Sequence, residues 1–277
     1  MIKGRDIIIH LAIKYEGDWN RIYEAIKAKE PATVAEVGAS MEQLKSETLT
    51  IIDDDYPENL KRIYKPPFVL FYHGDKSLLT YGKASLAVIG SRKPSPYGEA
   101  MTRAIVKDLV AGEILIVSGL ARGIDHIAHQ TTLAADGKTI AVLGSGINRP
   151  YPEETKVTYE KIKQRQLVLS EYPDRVEPHK DNFPWRNRII AGLAQAVFVT
   201  EARHRSGTLI TVGYALYLGK DVYVLPHPAN VESSCNRLIR DGAVLVESAH
   251  DILEELGKVF VDKNAEPDQE PLPKNFI

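Results

Sequence analysis

The chain has a single cysteine, Cys235, in 277 residues. That excludes an intrachain disulfide and any structural zinc site built on several thiolates, and it fits a reducing compartment. No stretch approaches the ~18 consecutive apolar residues of a membrane span. The N-terminal run MIKGRDIIIHLAIKYEG is interrupted by His10 and Lys14 and lacks a small-residue cleavage site, so it is not read as a signal peptide. A cytoplasmic chain without membrane attachment is expected. A dominant charge is missing too. At a formal net charge of −2 the molecule as a whole does not attract a polyanion, so any nucleic-acid binding must come from a local cationic patch. Neither common nucleotide fingerprint is present. There is no G-x-x-x-x-G-K-[ST], and Gly144-Ser145-Gly146 is followed by Ile147-Asn148-Arg149 rather than a third glycine. Gly144 and Gly146 are read as a tight strand exit. No cofactor is expected.

What remains is ample for a large core, since 44% of the residues are hydrophobic. From Arg5 to Ala28, Ile8, Ile9, Leu11, Ala12, Ile22, Ala25 and Ile26 recur at helical spacing. Gly17-Asp18 divides two short helices, with Asp18 as N-cap, and a third is expected within Pro31–Lys45, capped by Ser40 with Glu42 in its first turn. Residues 1–48 are therefore read as a small helical module, serving either as scaffold or in binding and assembly. From Pro67 the pattern changes to strand, turn, helix. Apolar runs stand at Phe68–Tyr72, Leu86–Ile89, Ile114–Val117, Thr139–Leu143, Leu167–Leu169, Ala196–Thr200, Val222–Leu225 and Ala243–Val246. Most are continuous rather than alternating, as strands buried on both faces require. Helical stretches lie between them, among them Gly98–Leu109, Ile124–Ala135, Glu153–Gln164, Trp185–Ala191 and Leu209–Leu218. The alternation predicts an α/β fold with a doubly wound, mostly parallel sheet over residues 49–261. One βα unit too few, and a separate helical head, argue against a barrel. Residues 262–277, rich in Asp, Glu and Pro, are expected to be a disordered tail.

In such a sheet ligands bind beyond the carboxyl ends of the strands. The loops there read Gly90-Ser91-Arg92, Ser118-Gly119-Leu120-Ala121-Arg122-Gly123, Ser170-Glu171, and Glu201 through Arg205 to Ser206-Gly207-Thr208. Glycine and serine let a backbone approach an anion and offer N–H groups at helix starts, although any fold of this class places small residues here. His126 and His129, beside Asp125, are three apart on an expected helix and can share one face, but no further ligand is spaced to complete a metal site. No metal is expected, and Asp125 reads as part of a helix start.

The segment Glu177–Gly192 is the most informative. Phe183 and Trp185 flank Pro184 in an expected loop, with Lys180, Arg186 and Arg188 interleaved. Cations track a phosphate backbone while an exposed ring stacks bases of any sequence. The same residues also suit the interior, with Trp185 in the core and both arginines ion-paired. The pattern does not choose between these readings.

Taken in order, VIGSRKPSPYG, IVSGLARGIDHIAH, TIAVLGSGINRPYPEE, LSEYP, FPWRNRIIAGLA, EARHRSGTLITVGYAL and CNRLIRDGA resemble the DprA/Smf (DNA-processing protein A) family from about Leu49 to Asp251. The resemblance implies an extended Rossmann-like fold that binds single-stranded DNA during natural transformation, protects it and loads the RecA recombinase onto it, as a homodimer without catalysis of its own. It assigns DNA contacts to Gly90, Ser91, Arg92, Gly119, Lys180, Phe183, Arg186, Asn187, Arg188, Ser206, Gly207 and Thr208. Arg92 would fork onto phosphate, Lys180 would act as a point charge, and Phe183 would stack on a base. The helical head resembles the sterile-alpha-motif-like module of some members. Many members carry a C-terminal winged helix, whereas here an acidic tail follows Val261. His227 and Ser234 stand where the family commonly has glycine. Dimerisation is placed on the last helical segment around His250–Leu256, where Ile252, Leu253 and Leu256 form a candidate apolar stripe.

The rival expectation is a nucleotide-binding enzyme. The segment Arg205-Ser206-Gly207-Thr208 with its following helix resembles the phosphate loop of nucleotide phosphoribohydrolases. Those carry a glutamate three residues after the threonine, where this chain has Thr211, so no general base is in place.

Overall fold

The structure, a computed structural model, describes residues 3–204 and 206–264. The larger part of the expected tail, 265–277, lies outside the described residues, as does Arg205.

Three helices open the chain. They are α1 (Gly4–Lys14), α2 (Trp19–Lys27) and α3 (Val34–Gln43), and further along come, among others, α4 (Glu58–Lys61), α7 (Lys156–Arg165) and α10 (Cys235–Arg240). Asp18 caps α2 as expected, its carboxylate accepting the Arg21 N–H at 3.0 Å. The expected cap of α3 is corrected. Thr33 and Glu36 form a reciprocal capping box, while Ser40 lies inside the helix, buried, with its hydroxyl 2.8 Å from His10 Nδ1.

The described residues form one nine-stranded sheet in the order β1-β2-β6-β5-β4-β3-β7-β8-β9. Its strands are β1 (Glu47–Thr50), β2 (Val69–Gly74), β3 (Ser85–Ile89), β4 (Leu115–Ser118), β5 (Thr139–Leu143), β6 (Leu167–Ser170), β7 (Ala196–Val199), β8 (Val222–Val224) and β9 (Val244–Leu245). From β6 to β9 every pairing is parallel. Both β2 pairings are antiparallel, so the fold is the expected mostly parallel α/β sheet with an antiparallel edge. The edge strand β1 carried no signal in the sequence. Three of its four residues, Glu47, Thr48 and Thr50, are polar, unlike the interior strands.

Successive residues along β3 divide between two cores. Leu86 and Val88 join Ile105, Val106 and Leu109 of α5 (Pro96–Ala111) together with Ile124 and Ala128 of α6 (Ile124–Ala134). Ala87 and Ile89 join Ile189 and Ile190 of α8 (Asn182–Leu193) and Val212 of α9 (Gly207–Tyr217). The period-2 geometry of a strand thus explains why the runs are continuous: each face has its own helical layer. A third core joins the head to the sheet, packing Ile9, Leu11 and Ile22 with Phe71, Leu143 and Tyr159.

The final helix, α11 (Ala249–Asn264), runs past position 261 and corrects the expected dimer stripe. Ile252 and Leu256 are buried in the chain's own core beside α5. Leu253 packs over Gly112, where an added Cβ would stand 2.7 Å from Leu253 Cδ2. His250 is turned outward, with Nε2 3.1 Å from Glu254.

Candidate functional site

Strand order reverses at β3, whose neighbours are β4 on one side and β7 on the other. Loops leaving adjacent strands at such a point diverge, and a crevice opens at their carboxyl ends. A cleft of about 1140 Å³ lies here, walled by the loop after β3, the loop after β7 with the start of α9, and the first turn of α8.

Each wall has a local cause. After β3, Gly90 passes beneath α6 so closely that an added Cβ would stand 2.5 Å from Ile124 Cγ1. The buried Ser91 hydroxyl accepts the Lys93 N–H at 3.1 Å. This tight turn leaves Arg92 exposed at the rim. Opposite, Phe183 and Pro184 belong to the first turn of α8 rather than to a loop. Proline is tolerated there because first-turn amides have no intrahelical acceptor. Phe183 is half-buried, and the Arg92 guanidinium lies 5.8 Å from its ring centroid. Lys180, exposed, precedes it on the same wall. On the third side α9 begins at the rim. Thr208 Oγ1 donates to Gly90 O at 3.1 Å and Asn187 Nδ2 to Gly207 O at 3.2 Å, tying three walls together. Ser206 Oγ is buried without a partner at that helix start.

The floor holds a buried charge pair. Arg186 is 3% exposed, and its guanidinium donates to the carbonyls of Gly119 (2.7 Å) and Val142, at the ends of β4 and β5. Asp125 accepts the Gly119 N–H at 3.1 Å. It is therefore the anchor of the β4–α6 loop, whereas the N-cap position of α6 belongs to Gly123. Burial pushes the Asp125 carboxyl up from its ordinary range, against the pull of Arg186 and of backbone N–H groups. Burial likewise lowers Arg186 to about 10 while Asp125 raises it and Arg92 lowers it further, so the guanidinium stays charged at neutral pH.

Among the described residues lining the cleft, five are cations (Arg92, Lys93, Lys180, Arg186 and Arg203) and one, Asp125, is acidic. The local patch that a net charge of −2 demands is present.

Two sequence candidates do not line it. Gly119 lies beneath the floor, and a Cβ there would meet Arg186 Nη2 at 2.6 Å and Asp125 Oδ2 at 2.7 Å. Arg188 is fully buried on the far side of α8. Its Nη2 is 2.6 Å from Glu171 Oε1, its other donors reach the carbonyls of Tyr64, Lys65 and Trp185, and its guanidinium sits 4.2 Å from the Trp185 ring centroid. The interior alternative therefore holds for Arg188, whereas Trp185 is only half-buried, its Nε1 donating to Glu171 Oε2 at 3.0 Å. The two histidines part company as well: His126 faces Thr158 and His129 faces Thr139, each at 2.8 Å.

The sequence reading missed Tyr151, Lys93 and Gly144. Tyr151 is exposed at the rim, its ring 5.6 Å from Phe183, and its place in the long loop after β5 was the available signal. Gly144 is more than a strand exit, because a Cβ there would stand 2.7 Å from Phe183 Cδ1. It is the seat of that ring.

A cationic, aromatic-edged cleft thus sits at the switch point of a Rossmann-like sheet. The sequence pattern described as DNA recombination-mediator protein A matches residues 47–257. The chain belongs to that family. It is 44% identical over 218 residues to the DNA processing protein DprA of Streptococcus pneumoniae, covering 78% of this chain and 76% of the relative. The crystal structure of DNA processing protein A from the same organism superposes with a TM-score of 0.77 at 34% identity, covering 92% of this chain and 99% of that one. DNA processing protein A from Helicobacter pylori, whose structure concerns its single-stranded DNA binding mode, superposes with a TM-score of 0.71 at 29% identity, over 78% and 98% of the two chains.

Proposed function

We propose that this cleft binds single-stranded DNA. The observation that carries the reading is the meeting of Arg92 and Phe183 at one mouth, beside four further cations and one engaged carboxylate. Arg92 and Lys180 hold phosphates, Phe183 stacks on a base, and the first amides of α9 with the Ser206 hydroxyl face another phosphate oxygen. Arg186 raises the potential of the floor from below. The Helicobacter relative's binding mode supports the same ligand here.

The role is binding rather than bond-breaking. Asp125, the one carboxylate among the described residues lining the cleft, is engaged by the Gly119 N–H and faces Arg186, and position 211, where the rival enzymes carry their acid, is Thr211. Family membership extends the reading to protection of incoming DNA in the cytoplasm during natural transformation and to loading of the RecA recombinase, by a homodimer. For the dimer contact the exposed apolar face of α9 replaces α11: Leu216 is 61% and Tyr217 71% exposed.

Fluorescence anisotropy with matched single- and double-stranded oligonucleotides across a salt series tests the binding claim. Preference for the single strand with a negative salt slope is expected, and equal affinity for both forms defeats it. For loading, the protein should speed RecA-dependent ATP hydrolysis on single strands already coated with a single-strand-binding protein, and no acceleration counts against that role.

A further inference from the structure

Outside the cleft, one cluster links the helical head to α8. The Lys65 ammonium lies 4.9 Å from the centroid of the Trp19 ring in α2 and 5.7 Å from that of Trp185 in α8, with Tyr64 at 5.5 Å. Trp19 Nε1 donates to Pro66 O at 2.8 Å, so the 64–66 segment is held from the head side by both ring and hydrogen bond. From the other side Arg188 donates to the carbonyls of Tyr64 and Lys65, while Trp185 Nε1 and Arg188 share the Glu171 carboxylate. A cation held between ring faces resists displacement by either ring. Trp185 is two positions beyond Phe183 in the same first turn of α8. Residues of this stretch also alternate in direction: Lys180, Phe183 and Pro184 face the cleft, whereas His179, Asp181 and Trp185 face a second groove toward the α1–α2 turn.

We infer that the helical head is a positioning element for the cleft: through Trp19, Lys65 and Trp185 it fixes the first turn of α8 and with it Phe183 and Lys180. Lys65 and Trp19 are positioning residues. Neither lines the cleft, so they act on bound DNA only through α8. The inference rests on the cleft being the DNA site.

The test uses the full chain carrying Lys65→Met, Lys65→Arg or Trp19→Leu, with anisotropy on a dT oligonucleotide across a salt series and a thermal melt of each variant. Lys65→Met and Trp19→Leu should weaken binding by about three- to tenfold with an unchanged salt slope, and Lys65→Arg should restore it, because either cation fits between the rings. The chain's two tryptophans both belong to this cluster, so the tryptophan emission of the wild type should shift on DNA binding, and that shift should shrink in Lys65→Met. A salt slope reduced by about 0.7 in Lys65→Met would make Lys65 a phosphate contact and overturn the inference. So would variants that melt lower yet bind DNA as the wild type does. Wild-type protein that fails to bind the single strand sinks the cleft reading itself, whereas wild-type binding with all variants unaffected sinks only the positioning role.

Discussion

Arg92 and Phe183 arrive from different elements, the loop after β3 and the first turn of α8, and meet with guanidinium and ring centroid 5.8 Å apart. A planar cation beside a half-exposed ring offers a nucleotide both of its needs at once, charge for the phosphate and a face for the base.

The two should be separable by salt. Arg92→Ala is expected to flatten the dependence of log affinity on log salt by about 0.7, one phosphate's share for a single strand. Phe183→Ala should cost about 1–3 kcal/mol of binding with the slope nearly unchanged, and Phe183→Trp should retain most of it. Equal slope changes in both variants defeat this division of labour.

Gly144→Ala should weaken DNA binding without unfolding the protein. The new methyl group would stand 2.7 Å from Phe183 Cδ1 and must push the ring outward, at about 1–3 kcal/mol for a crowded contact. Anisotropy paired with a thermal melt checks it, and unaltered affinity would show that the ring's seat does not matter.

Arg188 should behave as a fold residue. Arg188→Met strands the buried Glu171 carboxylate and is expected to cost about 3–5 kcal/mol in urea unfolding. At temperatures where the variant is folded, its salt slope on DNA should match the wild type, because Arg188 does not line the cleft.

Acid should destabilise the protein through His129. Burial pushes this imidazole down to about 3 from 6.5, so between those values the unfolded chain binds a proton that the folded chain refuses. The contribution is complete above pH ~6.5 and is lost as pH falls toward 3, at up to about 1.4 kcal/mol per unit. Asp125, whose carboxyl is raised by burial, acts in the opposite sense. Urea midpoints from pH 7 to 4 should therefore fall more gently in His129→Gln than in the wild type, and parallel curves would refute the assignment.

The dimer proposal predicts that Tyr217→Glu, at a site 71% exposed, leaves the fold intact but yields monomers by light scattering. An unchanged mass would move the contact elsewhere.

The parallel interior of the sheet was legible because strands covered on both faces must be apolar throughout, and Leu86–Ile89 or Thr139–Leu143 cannot hide that. β1 was not legible, since a four-residue edge strand with one apolar residue, Leu49, resembles many turns. In β2 the run itself was visible, but composition carries no direction. The cleft was legible in outline through Gly90–Arg92 and Ser206–Thr208, because the end of each strand locates the rim. The RNR triplet was not, since its members divide by helical rotation: Arg186 turns to the floor, Asn187 to α9, and Arg188 away to Glu171, 17 positions earlier, and to Tyr64 and Lys65, more than 120 earlier. Local spacing cannot announce partners so distant.

Gathering four exposed cations, Arg92, Lys93, Lys180 and Arg203, at one mouth of a chain whose overall charge is −2 leaves the rest of the sequence more negative than the whole. The molecule is thus polarised. A polyanion drifting toward its back or flanks is turned away, and only one orientation of approach is rewarded. If the cleft holds a single strand as proposed, the same asymmetry should favour that strand over indiscriminate adsorption to duplex or to acidic lipid headgroups.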